Sequence, residues 1–204
     1  MHTLFAVPFA CSCAVRLVLA QHSVPTEVRW VHRGPGRRIV EDELLALNPK
    51  AKVPTLVLPD GEVLTEMVGV LLHLDETHRG VRSPAERRRL IEWLAFVSTE
   101  LHKPILAPAY DPAVSEEARL DARDRLLPSA LATLADAVRT SPTLLGDPEP
   151  SGADAFAVWS LLLLRNLWPE TVETPALTGY RKRMLAFGHV ASVLSSEQDA
   201  LRAA

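Results

Sequence analysis

A thiol and a hydroxyl, Cys11 and Ser12, follow Pro8-Phe9-Ala10 at the point where a short apolar run gives way to a helical pattern. Side chains in the first turn of a helix face unpaired backbone N–H groups and the positive end of the helix dipole, and both favour negative charge. A cysteine so placed is favoured as its thiolate, and a thiolate carried by a ligand is stabilised in the same way. The placement equally fits a plain helix start, with Ser12 as cap and Cys11 packed. Position alone leaves the two readings level. Cys13 lies two residues on, faces another side of the helix and reads as core.

Two further places could hold a ligand. Val53-Pro54 opens an apolar run, and a proline at a strand start gives no ladder hydrogen bond. A cis bond there would turn the preceding carbonyl and N–H toward an incoming peptide; a trans strand-edge proline is the plain alternative. Thr65-Glu66 precedes an apolar helix. N–H groups at Glu66 and Met67 could hold a carboxylate, and the Glu66 carboxylate could hold an ammonium. The plain alternative is charge complementing the helix dipole, worth about 0.3–1 kcal/mol. Ser151-x-x-Asp154 has the spacing of a helix capping box and reads as a folding element worth about 1 kcal/mol.

The elements that must position these groups follow from the patterning. Residues 3–7 form a buried strand that stops at Pro8, and 12–21 a helix. Residues 26–32 alternate as a second strand, 33–38 form a loop with Gly34, Pro35 and Gly36, and 41–47 a short helix. Two apolar runs around Asp60-Gly61 predict a hairpin. Residues 66–77 are apolar almost all round and predict a buried helix. The order βαβαββα over residues 1–78 gives one small α/β domain. Residues 79–84 are linker-like. From 84 to 204 the pattern is all helical, with helices over about 84–106, 115–140, 152–167, 174–187 and 190–201. Leu90, Trp93, Leu94, Val97 and Leu101 are the apolar stripe of the first. His102 stands off that stripe, on a small and partly polar strip with Ala95, Ser98 and Thr99. Such a strip fits a cleft wall or a plain exposed histidine.

The 204 residues carry a net charge of −3, which disfavours a general affinity for nucleic acid or acidic membranes. Arg87-Arg88-Arg89 is too short to change that and reads as a solvated helix face. No apolar run reaches the roughly 20 residues that cross a bilayer, and the N-terminus lacks signal-peptide patterning, so a cytoplasmic location is expected. Cys11 and Cys13 are too close for an unstrained bridge. No metal-ligand spacing stands out.

Taken together, several segments resemble the bacterial beta-class glutathione S-transferases. In the N-terminal part these are Pro8-Phe9-Ala10-Cys11-Ser12, Asn48-Pro49-Lys50-Ala51-Lys52-Val53-Pro54, Asp60-Gly61 and Leu64-Thr65-Glu66. Further on, Ile91-Glu92-Trp93-Leu94, Thr99-Glu100-Leu101-His102-Lys103 and Ser151-Gly152-Ala153-Asp154-Ala155 match the helical part, so the resemblance runs in order over nearly the whole chain. It implies a thioredoxin-like N-terminal domain (1–78), an all-α C-terminal domain (84–204), and glutathione as co-substrate for conjugation to small hydrophobic electrophiles in detoxification. It places Cys11 and Ser12 at the glutathione sulfur, with Cys11 able to form a mixed disulfide. Val53 would pair with the cysteinyl backbone, held by a cis bond to Pro54. Glu66 and the Met67 backbone would hold the γ-glutamyl end, and His102 and Lys103 would complete the site. Phe9, the segment His102–Pro108 and the helix of Trp159 would line the electrophile pocket. The family's frequent first-strand tyrosine is replaced by the stretch Leu4-Phe5-Ala6, and Met67 stands where many relatives carry Ser or Gly. A two-fold homodimer is also implied, and the apolar helix 66–77 could serve it. Other activities on the same scaffold are a thiol–disulfide or peroxide reductase centred on Cys11, a pathway-specific isomerase or dehalogenase, and a non-catalytic binding protein.

Overall fold

The computed structural model describes residues 1–34, 39–80 and 82–203. Positions 35–38 of the expected loop, and Val81 in the expected linker, lie outside the described residues. The chain divides into two compact units, Met1–Val81 with Phe187–Ala204, and Arg82–Ala186.

The first unit is built on β1 (His2–Ala6), α1 (Ser12–Gln21), β2 (Thr26–Trp30), α2 (Asp42–Leu47), β3 (Thr55–Val57), β4 (Val63–Thr65) and α3 (Met67–Arg79). The sheet runs in the order β2-β1-β3-β4. β1 and β2 are parallel, with His2 opposite Thr26 and Ala6 opposite Trp30. β3 is antiparallel to β1, with Phe5 opposite Thr55, and β4 is antiparallel to β3, with Thr55 opposite Thr65. Because side chains alternate along a strand, Phe5 packs on one face with Val31, Ile39 and Leu44. Leu4 and Ala6, fully buried, face the other way, toward α1. α1 and α3 pack together there. Leu71 and Leu74 of α3 are wholly buried, each worth roughly 1.5–3 kcal/mol of apolar transfer.

Strand polarity decides where the turning points fall. β1 and β4 end, and β3 begins, at the same edge of the sheet, and α1 and α3 start from that edge. The chain's last helix, α9 (Gly188–Ala203), packs on α1 in this unit. Chain order groups it with the preceding helices, yet Val190, Val193 and Glu197 are buried in the first unit.

The second unit is helical. α4 (Pro84–Phe96) starts at a capping box in which Ser83 and Glu86 exchange hydrogen bonds, with Pro84 in its first turn. The helix expected over 84–106 changes character at Val97: Val97–Leu106 is π-helical and contains Pro104, which has no N–H to donate. A short α5 (Ala107–Ala109), then α6 (Glu116–Val138), α7 (Gly152–Leu167), a 3₁₀ turn at Pro169–Val172 and α8 (Pro175–Leu185) complete the unit. Leu90, Leu94, Val97, Leu101, Phe156 and Tyr180 form its interior.

Candidate functional site

In the first unit Cys11, Ser12, Val53, Pro54, Glu66 and Met67 collect at the edge where β1 ends. The turn from β1 into α1 takes Phe9 through φ +55°, a left-handed conformation that costs a non-glycine residue about 1–2 kcal/mol. Several bonds hold it. The Ala10 N–H donates to the Val7 carbonyl at 3.0 Å. The Phe9 N–H donates to Glu197 Oε2 at 2.6 Å. Glu197, without exposed surface, also accepts from Arg16 Nη1 at 2.6 Å, and Arg16 Nη2 donates to Ser196 Oγ at 3.0 Å. The Arg16 guanidinium lies over the Trp30 ring, 4.8 Å from its centroid. A carboxylate from α9 thus clasps both the turn and α1.

Cys11 ends that turn and is partly exposed. Its Sγ donates to the Val53 carbonyl at 3.3 Å. Cys13 is fully buried, and burial, with Glu197 next in importance, pushes its thiol well up, so it stays protonated as a core residue. Ser12 is the first residue of α1. It has no exposed surface, its hydroxyl donates to the Val7 carbonyl and accepts from the Val7 N–H, both at 3.3 Å, and it pins the end of β1.

Val53–Pro54 is cis, as expected. The turn ahead of it is stitched by the buried Asn48. Its Nδ2 donates to the Lys52 carbonyl at 3.0 Å and to Thr55 Oγ1 at 2.9 Å. Its Oδ1 accepts from the Lys50 N–H at 3.2 Å. Ala51 in this turn has φ +52°. Glu66, between β4 and α3, has φ +70°, ψ 128°. Its carboxylate accepts a hydrogen bond from Lys50 Nζ at 2.7 Å, and Lys50 Nζ also donates to Thr65 Oγ1 at 2.8 Å. Met67 begins α3 with its side chain turned inward. Of four non-glycine residues with positive φ among the described residues, Phe9, Ala51 and Glu66 lie at this one edge. Strained backbone concentrates at functional sites.

The second unit holds His102 and Lys103 in the π-helical stretch, a local distortion found often at functional positions. The His102 ring meets Phe156 and Trp159 edge-on, with centroids at 5.5 Å and 5.3 Å. Burial, with the Lys103 ammonium second, lowers its pKa to about 4, and Nδ1 has no hydrogen-bond partner among the described residues. His102 is therefore a neutral imidazole in an aromatic corner, neither a plain exposed histidine nor a cation. Lys103 is exposed. Trp159 and Phe156, on the helix expected to line a pocket, are core residues. The capping box at Ser151 does more than cap. Besides its Ser151 partners, Asp154 Oδ1 accepts from the Leu144 N–H at 2.8 Å and from the Tyr180 hydroxyl at 2.7 Å.

Residues 10–77 match the family model "Glutathione S-transferase, N-terminal domain". A glutathione transferase of Methylococcus capsulatus is 32% identical, covers 97% of this chain and 99% of its own, and superposes with a TM-score of 0.84. The chain belongs to the glutathione S-transferase family. A sphingomonad glutathione S-transferase complexed with glutathione is 28% identical over 96% of this chain and 98% of its own, with a TM-score of 0.81. Among curated relatives, glutathione S-transferase GstA of Escherichia coli O157:H7 is 34% identical over 60% of this chain; the match spans 63% of the length of that relative. The sheet with α1 to α3 is the thioredoxin-like half of the glutathione S-transferase fold, and the helices that follow make up its helical C-terminal part.

The Glu197–Arg16 clasp was not anticipated from the sequence. Its signal was nevertheless there: Val190, Val193 and Glu197 fall at i, i+3 and i+7, so a glutamate sits on an apolar stripe. Asn48 carried no such signal, because its bonds depend on how a loop folds back.

Proposed function

We propose that this glutathione S-transferase family member binds glutathione at the β1 edge and transfers its thiolate to small hydrophobic electrophiles. The observation that carries the reading is Cys11 Sγ held 3.3 Å from the Val53 carbonyl. It puts a thiol, the start of α1 and the strand-opening backbone of Val53 in one place. Aligned amides at the start of a helix favour an anion. The glutathione thiol gives up its proton to water, the sulfur forms a bond to an electrophilic carbon, and, where the electrophile is an activated aryl or alkyl halide, the halide leaves with the bonding pair. Lowering the thiol pKa and fixing the sulfur are what the protein contributes.

In this reading Cys11 touches the glutathione sulfur, the Val53 backbone pairs with the cysteinyl unit beside Pro54, and Glu66 with the Met67 N–H takes the γ-glutamyl end. The Glu66–Lys50 ion pair is solvent-exposed, so a ligand ammonium exchanges with Lys50 at small cost. Ser12 acts through Val7 rather than on sulfur. His102 contributes a neutral imidazole and Lys103 an exposed cation. A detoxifying role in the cytoplasm belongs to the same proposal. So does a homodimer, supported by Val68 and Leu72 of α3, which are only partly covered.

The test is calorimetric titration of the purified protein with glutathione beside other cellular thiols, followed by turnover of an activated chloronitroarene. Saturable glutathione binding is expected, with Cys11→Ala removing any mixed disulfide seen by mass spectrometry and leaving part of the conjugation rate. Absence of binding to glutathione overturns the reading. Light scattering at micromolar protein is expected to give twice the 22.4 kDa chain mass; a monomer removes the dimer alone.

A further inference from the structure

A buried guanidinium normally has a carboxylate or a carbonyl against it. Three arginines with little exposed surface follow that rule here: Arg16 pairs with Glu197, Arg79 with Asp75 and Arg82 with Asp147. Arg181, in α8 of the second unit, does not. It is 8% exposed. It has neither an ion pair nor a hydrogen bond among the described residues, and its Nη1 is closed off from solvent without a partner.

Arg181 stands on the inward stripe of α8, where Leu177, Tyr180 and Met184 are its buried companions, and α8 packs against α6 and α7. The buried carboxylate of this unit, Asp154, is already taken by Leu144, Ser151 and Tyr180. Glu173 acts on Arg181 from an exposed position but makes no ion pair with it. Burial first, and the Arg165 guanidinium of α7 second, hold the Arg181 pKa below the ordinary arginine value. A lysine in such a place sheds its proton; an arginine keeps its charge and all five N–H donors. The described residues leave that charge and those donors unanswered.

We propose that Arg181 is an anion-binding residue, and that a small oxyanion, a phosphate or sulfate group, seats against its guanidinium on α8. The planar fork of N–H groups matches the oxygens of such an ion, and a charge-assisted pair compensates a guanidinium that the fold leaves alone. A doubly charged ion suits a place where a second cation acts and no carboxylate is paired. Binding only to the folded chain, the ion stabilises α8 in its place against α6 and α7. The site lies within the second unit and uses none of Cys11, Val53 or Glu66, so it stands whether or not the protein conjugates glutathione.

The experiment is titration calorimetry of the full chain with sodium phosphate, without glutathione, against sodium chloride at equal ionic strength. Saturable phosphate binding that chloride does not reproduce is expected, together with slower amide exchange in α8. Arg181→Met keeps the aliphatic bulk and is expected to weaken phosphate binding by about tenfold or more. Arg181→Lys, which keeps a charge but loses the fork, serves if the methionine variant folds poorly and is expected to weaken binding several-fold. Glu173→Gln removes a competing carboxylate and is expected to tighten it. Phenyl phosphate separates the sources: binding as tight as that of the inorganic ion indicates a phosphorylated metabolite, and rejection indicates the free ion. No saturable binding, an equal effect of chloride, or an affinity unchanged in the Arg181 variants would each overturn the site. So would a Glu173→Gln variant that loses phosphate binding as the Arg181 variants do.

Discussion

Replacing Glu197 with Ala tests the clasp that fixes the Cys11 turn. Glu197 has no exposed surface and accepts from the Phe9 N–H and from Arg16, whose side chain is 11% exposed. The alanine leaves a nearly buried guanidinium without its carboxylate, which costs about 3–5 kcal/mol. It also leaves the Phe9 N–H without its acceptor, a loss of about 1–3 kcal/mol. The two share one relaxation, so about 4 kcal/mol is expected in total rather than their sum. For a chain of this size that lowers Tm by roughly 8–16 °C. Calorimetry or denaturant unfolding reads the loss, and the rate at which Cys11 reacts with an aromatic disulfide reads the turn. Glu197→Gln keeps the shape and an acceptor and is expected to cost about half as much. Arg16→Met combined with Glu197→Met is expected to recover much of the loss, because the buried charge goes with its partner. The reasoning fails if Glu197→Ala costs under about 1 kcal/mol, the level of an exposed pair.

Asp154→Ala is expected to destabilise the second unit by about 3–5 kcal/mol, since it strands donors at Leu144, Ser151 and Tyr180; a loss near the 1 kcal/mol of a simple cap, measured by urea unfolding, contradicts the hub. The His102 pKa, lowered from 6.5 to about 4, makes the folded state bind its proton less well than the unfolded chain. Its contribution is therefore present above the unfolded value and lost as pH falls from 6.5 toward 4, by about 3 kcal/mol in all. His102→Leu should remove that part of the acid sensitivity in Tm-against-pH curves, and identical curves for the two proteins would refute it.

Most of the first unit could be read in advance because its signals are local. The apolar run before Pro8, the Asp60-Gly61 turn and the helical periods of α1 and α3 each specify an element within a few residues. Val53-Pro54 and Glu66 could be singled out for the same reason. Ser12 could not be placed from its type: a hydroxyl at a helix start suits both solvent and the Val7 backbone, and the choice depends on how β1 enters the turn. The π-helical stretch at Val97–Leu106 escaped because Pro104 reads as a kink or stop under the helical period, while the wider turn is a tertiary accommodation. α9 was legible as a helix, but not as a partner of α1, since that pairing joins residues nearly two hundred positions apart.

The three residues with positive φ at the β1 edge differ in what they present, and that difference predicts which one serves binding. Phe9 is held by a buried carboxylate, and Ala51 follows Asn48, whose side chain is saturated with bonds. Glu66 pairs with Lys50, and their side chains are 60% and 47% exposed, so that pair contributes about 0–1 kcal/mol; a backbone at φ +70° costs roughly 1–3 kcal/mol. An exposed carboxylate next to the Met67 N–H at the start of α3 fits a conformation kept for what it presents. Glu66→Gly relieves the backbone and removes the carboxylate. It is expected to raise stability by up to about 1 kcal/mol and to weaken glutathione binding at least tenfold, about 1.4 kcal/mol for one lost charged contact. Unfolding and titration calorimetry on the same preparation separate the two effects. A glycine variant that is less stable and binds glutathione unchanged would show that Glu66 adopts its conformation for the fold alone.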